Sequence, residues 1–546
     1  MPRLALLSVV FVALASSLHA EEWVDFNSRV VGMGSAGAIL ARGPSGVRYN
    51  PANAASRPWE RADAEFLPLT FEFSFSAGMA AALHGEDFNT MFEVVDAANE
   101  VQDRFQEGAF DTPATATLSD YREVFGIFNK LDLLESLSGD GIYANSYAGV
   151  SARVGNLFLD GDGLGVTFGG FGIGGAAVIV DLDSLRNYRF VDESGATWDT
   201  FVTTAATLSG QPAAAPSTPG GQQFSADLQA AGYPANEADI LAKTAEDSGI
   251  NFGGVGASIL FDFLVNTRDG TGQSLESGAD PLEGNESGFV IRGLSFYEVG
   301  ISYGMPLPVP VIGDWLSFGA TLRFIQAYTF SQVLFVEDMD SNGVEDTLEN
   351  LGQQVSDAYT LKGDASRFNV GVDLGVTFTP QLPGLDTLAV TLVGRNLNGP
   401  EFRWDPAFGA EPKLIRFDAQ FAAGASYTAF HGIGLPLTIA VEAELNRVSS
   451  DVLPRYHTQF IRAGLGWEPQ WGGFGFGLRT GVFKNIADAQ QAFTFTFGAG
   501  LRLWFFHLDF AGQLGLATQK FGTDEDSELL PHRFGFGVQL GIDISF

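Results

Sequence analysis

The chain has 546 residues, enough for two or three ordinary domains or one large barrel. Its 65 Asp+Glu against 30 Lys+Arg give a net charge of −35, which excludes a nucleic-acid binder working by phosphate neutralisation, and the absence of cysteine excludes disulfides, CxxC redox pairs and thiolate zinc sites. With 67 Gly and 48 Phe but only 17% charged residues, it is neither a disordered chain nor a typical soluble one.

Residues 1–20, MPRLALLSVVFVALASSLHA, carry one Arg, an apolar stretch from Leu4 to Leu14 and small residues up to Ala20. This is the pattern of a cleaved secretory signal, with the mature chain starting at Glu21. Residues 21–60 contain no run long enough for a spanning strand but are dense in Gly and Ala, which suits packing in a confined lumen, so a plug is expected there. Its key turn is Asn50-Pro51-Ala52, where Pro51 fixes φ and Asn50 can bond neighbouring backbone. Arg29, Arg42, Arg48 and Arg57 are expected to pair with inward acids such as Asp373, Glu442 and Glu444. Gly32, Gly34 and Gly37 match the dinucleotide fingerprint literally, but no parallel βαβ pattern follows them. They are read as plug glycines at points of close backbone approach.

Residues 61–546 read as strands. In the last segment Phe534, Phe536, Val538, Leu540, Ile542, Ile544 and Phe546 occupy every even position, with Gly, Gln, Asp and Ser between them. Period two over that length is a strand with one apolar and one polar-or-small face. Strands are predicted at 64–82, 143–155, 164–181, 289–304, 318–337, 367–379, 384–396, 416–429, 435–447, 457–468, 474–484, 493–503, 506–517 and 533–546, fourteen in all. Charges such as Arg323, Asp373, Glu442, Glu444, Arg462, Arg479, Arg502 and Asp509 keep to the face opposite the Phe residues. Short turns at 380–383, 430–434 and 469–473 alternate with long connections, as in bacterial outer-membrane barrels with periplasmic termini. The longest uncharged stretch, Leu164–Val180, contains six Gly, so it is no spanning helix. The predicted fold is all-β: a transmembrane antiparallel barrel with an N-terminal plug and partly helical insertions.

Those insertions are 83–142 and 182–288. The first carries a helical stripe of Tyr121, Val124, Phe125, Phe128, Leu131 and Leu134. The second holds the low-complexity stretch 209–223, read as a linker, and a short helix around Asn236–Asp247. Segment 250–264 reads partly as a strand but breaks the even count, so it is placed in a loop. In the loop after the strand at 318–337, Asp338, Asp340, Asn342, Gly343 and Glu349 fit the spacing of a Ca²⁺ loop. Glu345 stands where that motif usually has an aliphatic residue, and a solvated acidic loop is the competing reading. The histidines are scattered, with no HExxH or GxSxG beside them, so the inward charges are read as lumen electrostatics rather than catalysis.

Residues 26–55, FNSRVVGMGSAGAILARGPSGVRYNPANAA, resemble the plug segment of FadL-type outer-membrane transporters, in which a Gly-rich run leads into an Asn-Pro-Ala turn. The stretches LSFYEVGISYGMPL (294–307), FNVGVDLGVTF (368–378), VGRNL (393–397), IAVEAELN (439–446) and FIRAGLGWEP (460–469) are similar to the barrel-type conjugal transfer TraF proteins. The unrelated thioredoxin-like proteins of that name are excluded by the lack of Cys. Ending on Phe546 after strict alternation resembles proteins recognised by the barrel-assembly machinery. The resemblance implies an outer-membrane protein surrounded by lipid that passes small, mostly hydrophobic molecules, or else a non-transporting component of a conjugation or secretion assembly. It implies no enzyme activity.

Overall fold

The structure, a computed structural model, describes residues 27–55, 69–85, 138–190, 215–275, 287–309, 313–335, 367–404, 413–453, 456–488, 491–521 and 528–545, with scattered positions between 122 and 135. The signal segment, the calcium-loop residues Asp338, Asp340, Asn342 and Glu349, and Phe546 lie outside the described residues.

Alternation of apolar with small or polar residues produces fourteen strands: β1 (Thr70–His84), β2 (Gly141–Gly155), β3 (Gly163–Ile179), β4 (Gly288–Val309), β5 (Gly313–Phe335), β6 (Arg367–Phe378), β7 (Ala389–Arg395), β8 (Gln420–Ala429), β9 (Leu437–Glu444), β10 (Phe460–Trp467), β11 (Phe474–Asn485), β12 (Thr494–Leu503), β13 (Phe506–Gly515) and β14 (Arg533–Ser545). Each pairs antiparallel with the next, and β14 pairs back onto β1 from Thr70↔Ser545 to Ala82↔Arg533. The sheet therefore closes and leaves no edge, which is what a strand protein in lipid requires. Phe497, Phe510, Phe534 and Phe536 point outward and are exposed, while the neighbours Thr496, Asp509 and Arg533 point inward and are buried. Successive side chains alternate across a strand, so a single register sorts every residue to lipid or lumen. At the short turns the exposed apolar residues continue with Phe158, Phe430, Ile433, Trp471 and Trp504.

The N-terminal segment folds as α1 (Ser28–Gly32), α2 (Gly37–Leu40) and α3 (Gly43–Tyr49), followed by a 3₁₀ turn at Pro51–Ala54. It touches the inner faces of strands around the whole barrel: α1 meets β11 to β14, α2 meets β7 to β9, α3 meets β1 to β4, and the 3₁₀ turn meets β3 to β6.

Between β3 and β4 lie α4 (Pro219–Ala230), α5 (Ala235–Asp247) and α6 (Val255–Asp269). The helix expected around Asn236–Asp247 is α5. Two expectations are corrected. Residues 250–254 are loop as expected, but from Val255 the segment is helix: Ile259, Leu260, Phe263 and Leu264 are buried at helical spacing in α6, and a short apolar run does not reveal its period by composition. The 209–223 linker is helical from Pro219 onward, because Thr218 caps α4 by accepting a hydrogen bond from the Gly221 amide at 3.1 Å. Phe125 and Phe128 of the predicted stripe pack with Leu228, Leu241 and Leu260 in a core of their own, and Phe128 meets Phe263 edge-on at 5.3 Å.

Unboiled protein should migrate faster than boiled protein in gel electrophoresis. Phe510→Arg, on the lipid face of β13, should lower stability in vesicles by about 2–4 kcal/mol in a urea titration. An unchanged titration would mean that this face does not meet lipid.

Candidate functional site: the charged and aromatic lumen

The lumen is assembled by bringing the backbone of residues 27–55 against inward glycines. A Cβ at Gly319 or Gly375 would overlap Pro51 or Asn50, one at Gly464 would overlap Met33, and one at Gly481 would overlap Gly34. Gly34 has φ +72°, and its amide donates to Thr496 Oγ1 at 2.9 Å. At Gly32 a Cβ would come to 2.9 Å of the Gly498 Cα, and at Gly37 it would meet the Tyr49 ring. All three glycines sit where a side chain has no room.

Polar groups tie the segment down. Asn27 caps α1, accepting from the Val30 amide at 3.0 Å, and its Nδ2 donates to Ser45 Oγ at 2.6 Å. Asn50 is buried at the start of the 3₁₀ turn. Its Oδ1 accepts from the Ala52 amide at 3.0 Å, and its Nδ2 donates to Ala38 O at 3.1 Å and Thr391 Oγ1 at 2.6 Å. Pro51 and Ala52 lie directly against Gly319. Arg395 donates to Tyr49 O at 3.0 Å, and Arg153 donates to Ala54 O at 2.8 Å.

The ion pairs differ from those expected. Arg29 grips Glu468 with two bonds of 2.8 and 2.5 Å, and Arg48 donates to Glu298 at 3.1 Å. Asp373 is instead paired with Arg323 of the neighbouring strand at 2.9 Å, and Glu444 with Arg462 at 2.7 Å. Glu442 reaches the segment through the Ala38 amide, at 2.7 Å. Asp373 and Glu444 are held by wall arginines two residues of register away, and Glu442 lies directly opposite Arg462, 3.5 Å from it. Arg57 lies outside the described residues. The unforeseen site residues are Glu298, Glu468, Arg395 and Arg153; their one sequence signal is a charged residue on the small-residue face of a strand or at its turn. Arg48–Glu298 is buried on both sides, and a buried pair that loses one partner costs about 3–5 kcal/mol, so this pair holds the segment in one place.

Glu468 lies in the turn after β10, outside the spanning strand. Burial alone would raise its carboxyl, but Arg29 and Arg479 together outweigh that and hold it at about 2. Arg479 also donates to Asp509 at 2.5 Å. Beside this cluster, at the short-turn end, is a cavity of about 540 Å³ lined by Arg29, Arg42, Glu72, Arg153, Arg502, His507 and Asp543 among others.

The long-connection end has the opposite character. Phe402, Ile415, Phe417, Val452, Leu453 and Tyr456 come from connections between strands and are buried against Tyr143, Phe171 and Phe296 of the wall. Tyr143 stacks on Tyr456 at 4.9 Å, and Phe296 meets Phe417 at 5.4 Å. His84 pairs with Asp488 at 2.9 Å beside Tyr456. Ser449 Oγ and His457 Nδ1, at 2.7 Å, form a cross-strand hydrogen bond within one of these connections. Among the described residues no three His, Asp or Glu side chains converge as metal ligands.

A closed fourteen-stranded barrel with an apolar outer belt, crossed inside by its own N-terminal segment, is a barrel of the outer-membrane class. The chain belongs to the family described as "F plasmid transfer operon, TraF, protein", which it matches over residues 47–431, more than half its length. No curated protein matches it. Among solved structures it is similar to the Pseudomonas putida toluene transporter TodX, with 10% identity, 97% of this chain and 99% of that one covered, and a TM-score of 0.38. For the Ralstonia pickettii toluene transporter TbuX the values are 11%, 95%, 98% and 0.38. For a Pseudomonas aeruginosa FadL homologue they are 9%, 97%, 100% and 0.39. Likenesses at these TM-scores carry none of the functional reading.

Gly319→Ala should push the segment off the wall at a cost of about 1–3 kcal/mol, seen as increased motion of a nitroxide on Asn53→Cys; the chain has no native cysteine. The same label should report the Glu468 anchor. The folded carboxyl is depressed from 4.5 to about 2, so its stabilisation is complete above the unfolded value and lost as the pH falls through the folded one. The label should stay fixed down to pH ~4.5 and loosen towards pH ~2; loosening between pH 7 and 5 would contradict this anchor.

Proposed function

We propose that the protein is an outer-membrane barrel that passes small hydrophobic molecules by passive transport, with residues 21–60 acting as its plug. The observation that carries this reading is the division of the lumen: aromatic side chains fill the long-connection end, and a polar cavity opens at the short-turn end. A hydrophobic molecule gains by leaving water for the first region, and displacement of the plug would let it reach the second. In the same reading the chain is exported on residues 1–20 and inserted into lipid by the barrel-assembly machinery through Phe546. Asp338, Asp340, Asn342 and Glu349 hold Ca²⁺ at the outer face.

One observation favours a second reading. Away from that cavity the described lumen is occupied by the segment and by packed side chains, as suits a non-transporting component of a conjugation or secretion assembly. Planar bilayers separate the two. The intact barrel should conduct little, and deleting residues 26–55 should leave a folded, heat-modifiable barrel with raised conductance. Conductance near zero in both forms would favour the assembly component. Equal conduction with and without the segment would overturn the plug.

A further inference from the structure

Arg48 of α3 lies where aromatic faces and a carboxylate meet. Its Cζ is 4.0 Å from the centroid of the Phe171 ring and 5.9 Å from that of Tyr147, while its Nε donates to Glu298 Oε1 at 3.1 Å. Phe296 stacks on Phe171 at 4.6 Å and 11°, which fixes the plane that Arg48 faces. Every one of these partners belongs to the wall: Tyr147 to β2, Phe171 to β3, Phe296 and Glu298 to β4. The barrel thus contains a complete cation cage, and the N-terminal segment supplies the cation.

Charge makes the cage selective. Glu298 and Asp373 share Arg323, with Arg323 to Glu298 at 2.9 Å, and Arg48 supplies the second positive charge. Among the described residues, Arg395 and Arg462 with Glu442 and Glu444 extend this cluster, so that four buried guanidiniums, Arg48 included, balance four buried carboxylates. If Arg48 withdraws, one carboxylate charge remains uncompensated among aromatic rings, which is unfavourable unless another cation arrives. We propose that this cage binds an organic cation, an ammonium or amidinium head on a hydrophobic body, which takes the place of Arg48.

Two other features lead such a molecule there. From the long-connection end the rings of Phe402, Phe417, Phe296 and Phe171 follow one another at centroid separations of 5.3, 5.4 and 4.6 Å, ending at the cage. The connections at that end (85–140, 180–287, 336–366, 396–419, 445–459, 486–493 and 516–532) contain 47 Asp and Glu against 14 Lys and Arg. A net negative charge of that size in the sequence joining these strand ends attracts cations to the barrel and speeds their arrival. The proposal narrows the substrate class of the transport reading and rests on it for passage, but binding in the cage needs no passage.

The test uses two probes of equal shape, choline and its neutral isostere 3,3-dimethylbutan-1-ol, with the full-length barrel in detergent and calorimetry as the readout. Arg48→Ala, checked for folding by heat-modifiable migration, should bind choline at least tenfold more tightly than the isostere and at least tenfold more tightly than the unaltered protein does. Arg48→Gln serves if the alanine form does not fold. Adding Glu298→Gln, or Phe171→Leu with all charges kept, should each remove the preference. Equal binding of both probes, or a preference that survives Glu298→Gln, would overturn the cage. A barrel that never conducts yet discriminates the probes overturns only the transport reading. One that conducts after deletion of residues 26–55 yet fails to discriminate them overturns only the cage.

Discussion

Neutralisation of charge inside a closed, poorly solvated lumen is the constraint on which the interior depends. Arg48, Arg323, Arg395 and Arg462 are buried together with Glu298, Asp373, Glu442 and Glu444. None of these groups could be desolvated alone, because an isolated buried charge costs several kcal/mol after relaxation. The wall satisfies most of this demand across neighbouring strands, as in Arg323 with Asp373 and Arg462 with Glu444. The remainder is met by the N-terminal segment, through Arg48 at mid-lumen and Arg29 at the turn end. Folding of the segment and electrical completion of the barrel are therefore one event.

Close approach of backbone makes that event possible. Inward glycines on β5, β6, β10 and β11 leave the segment's main chain in contact with the wall, so that amides such as those of Gly34 and Ala38 reach wall side chains directly. A larger residue at any of these positions would lift the segment and stretch every ion pair it makes. The same glycines weaken the strands intrinsically, and closure of the sheet together with lumen packing offsets that loss.

The helices α4 to α6 are organised differently. Their apolar faces meet one another and the stripe around Phe128, which makes a local core that does not depend on the lumen. Glu246 illustrates how such a surface is held: Ser217, Thr218 and Lys243 hydrogen-bond its carboxylate, an arrangement that ties the start of α4 to the end of α5. The acidic residues of the long connections lie close to this core in sequence, so the strongly charged part of the chain is also the part least involved in closing the barrel.

Strand number, lipid-facing residues and the position of short turns were legible in the sequence, because a period of two assigns each residue to a face with no reference to distant partners. Phe497 and Phe536 are read outward and Thr496 inward from their neighbours alone. Local chemistry was legible for the same reason: Asn50 before Pro51 specifies its own cap. The identity of α6 was not, because its Val, Ile and Phe are also the residues of a strand and mask the helical spacing that Phe263 uses to meet Phe128. Nor were the ion pairs. Arg48 could have chosen among several inward acids, and only the barrel's closure and stagger bring Glu298 to 3.1 Å from it. Pairing across a lumen is set by distances between strands far apart in the chain, and those distances exist only once the sheet has closed around the segment.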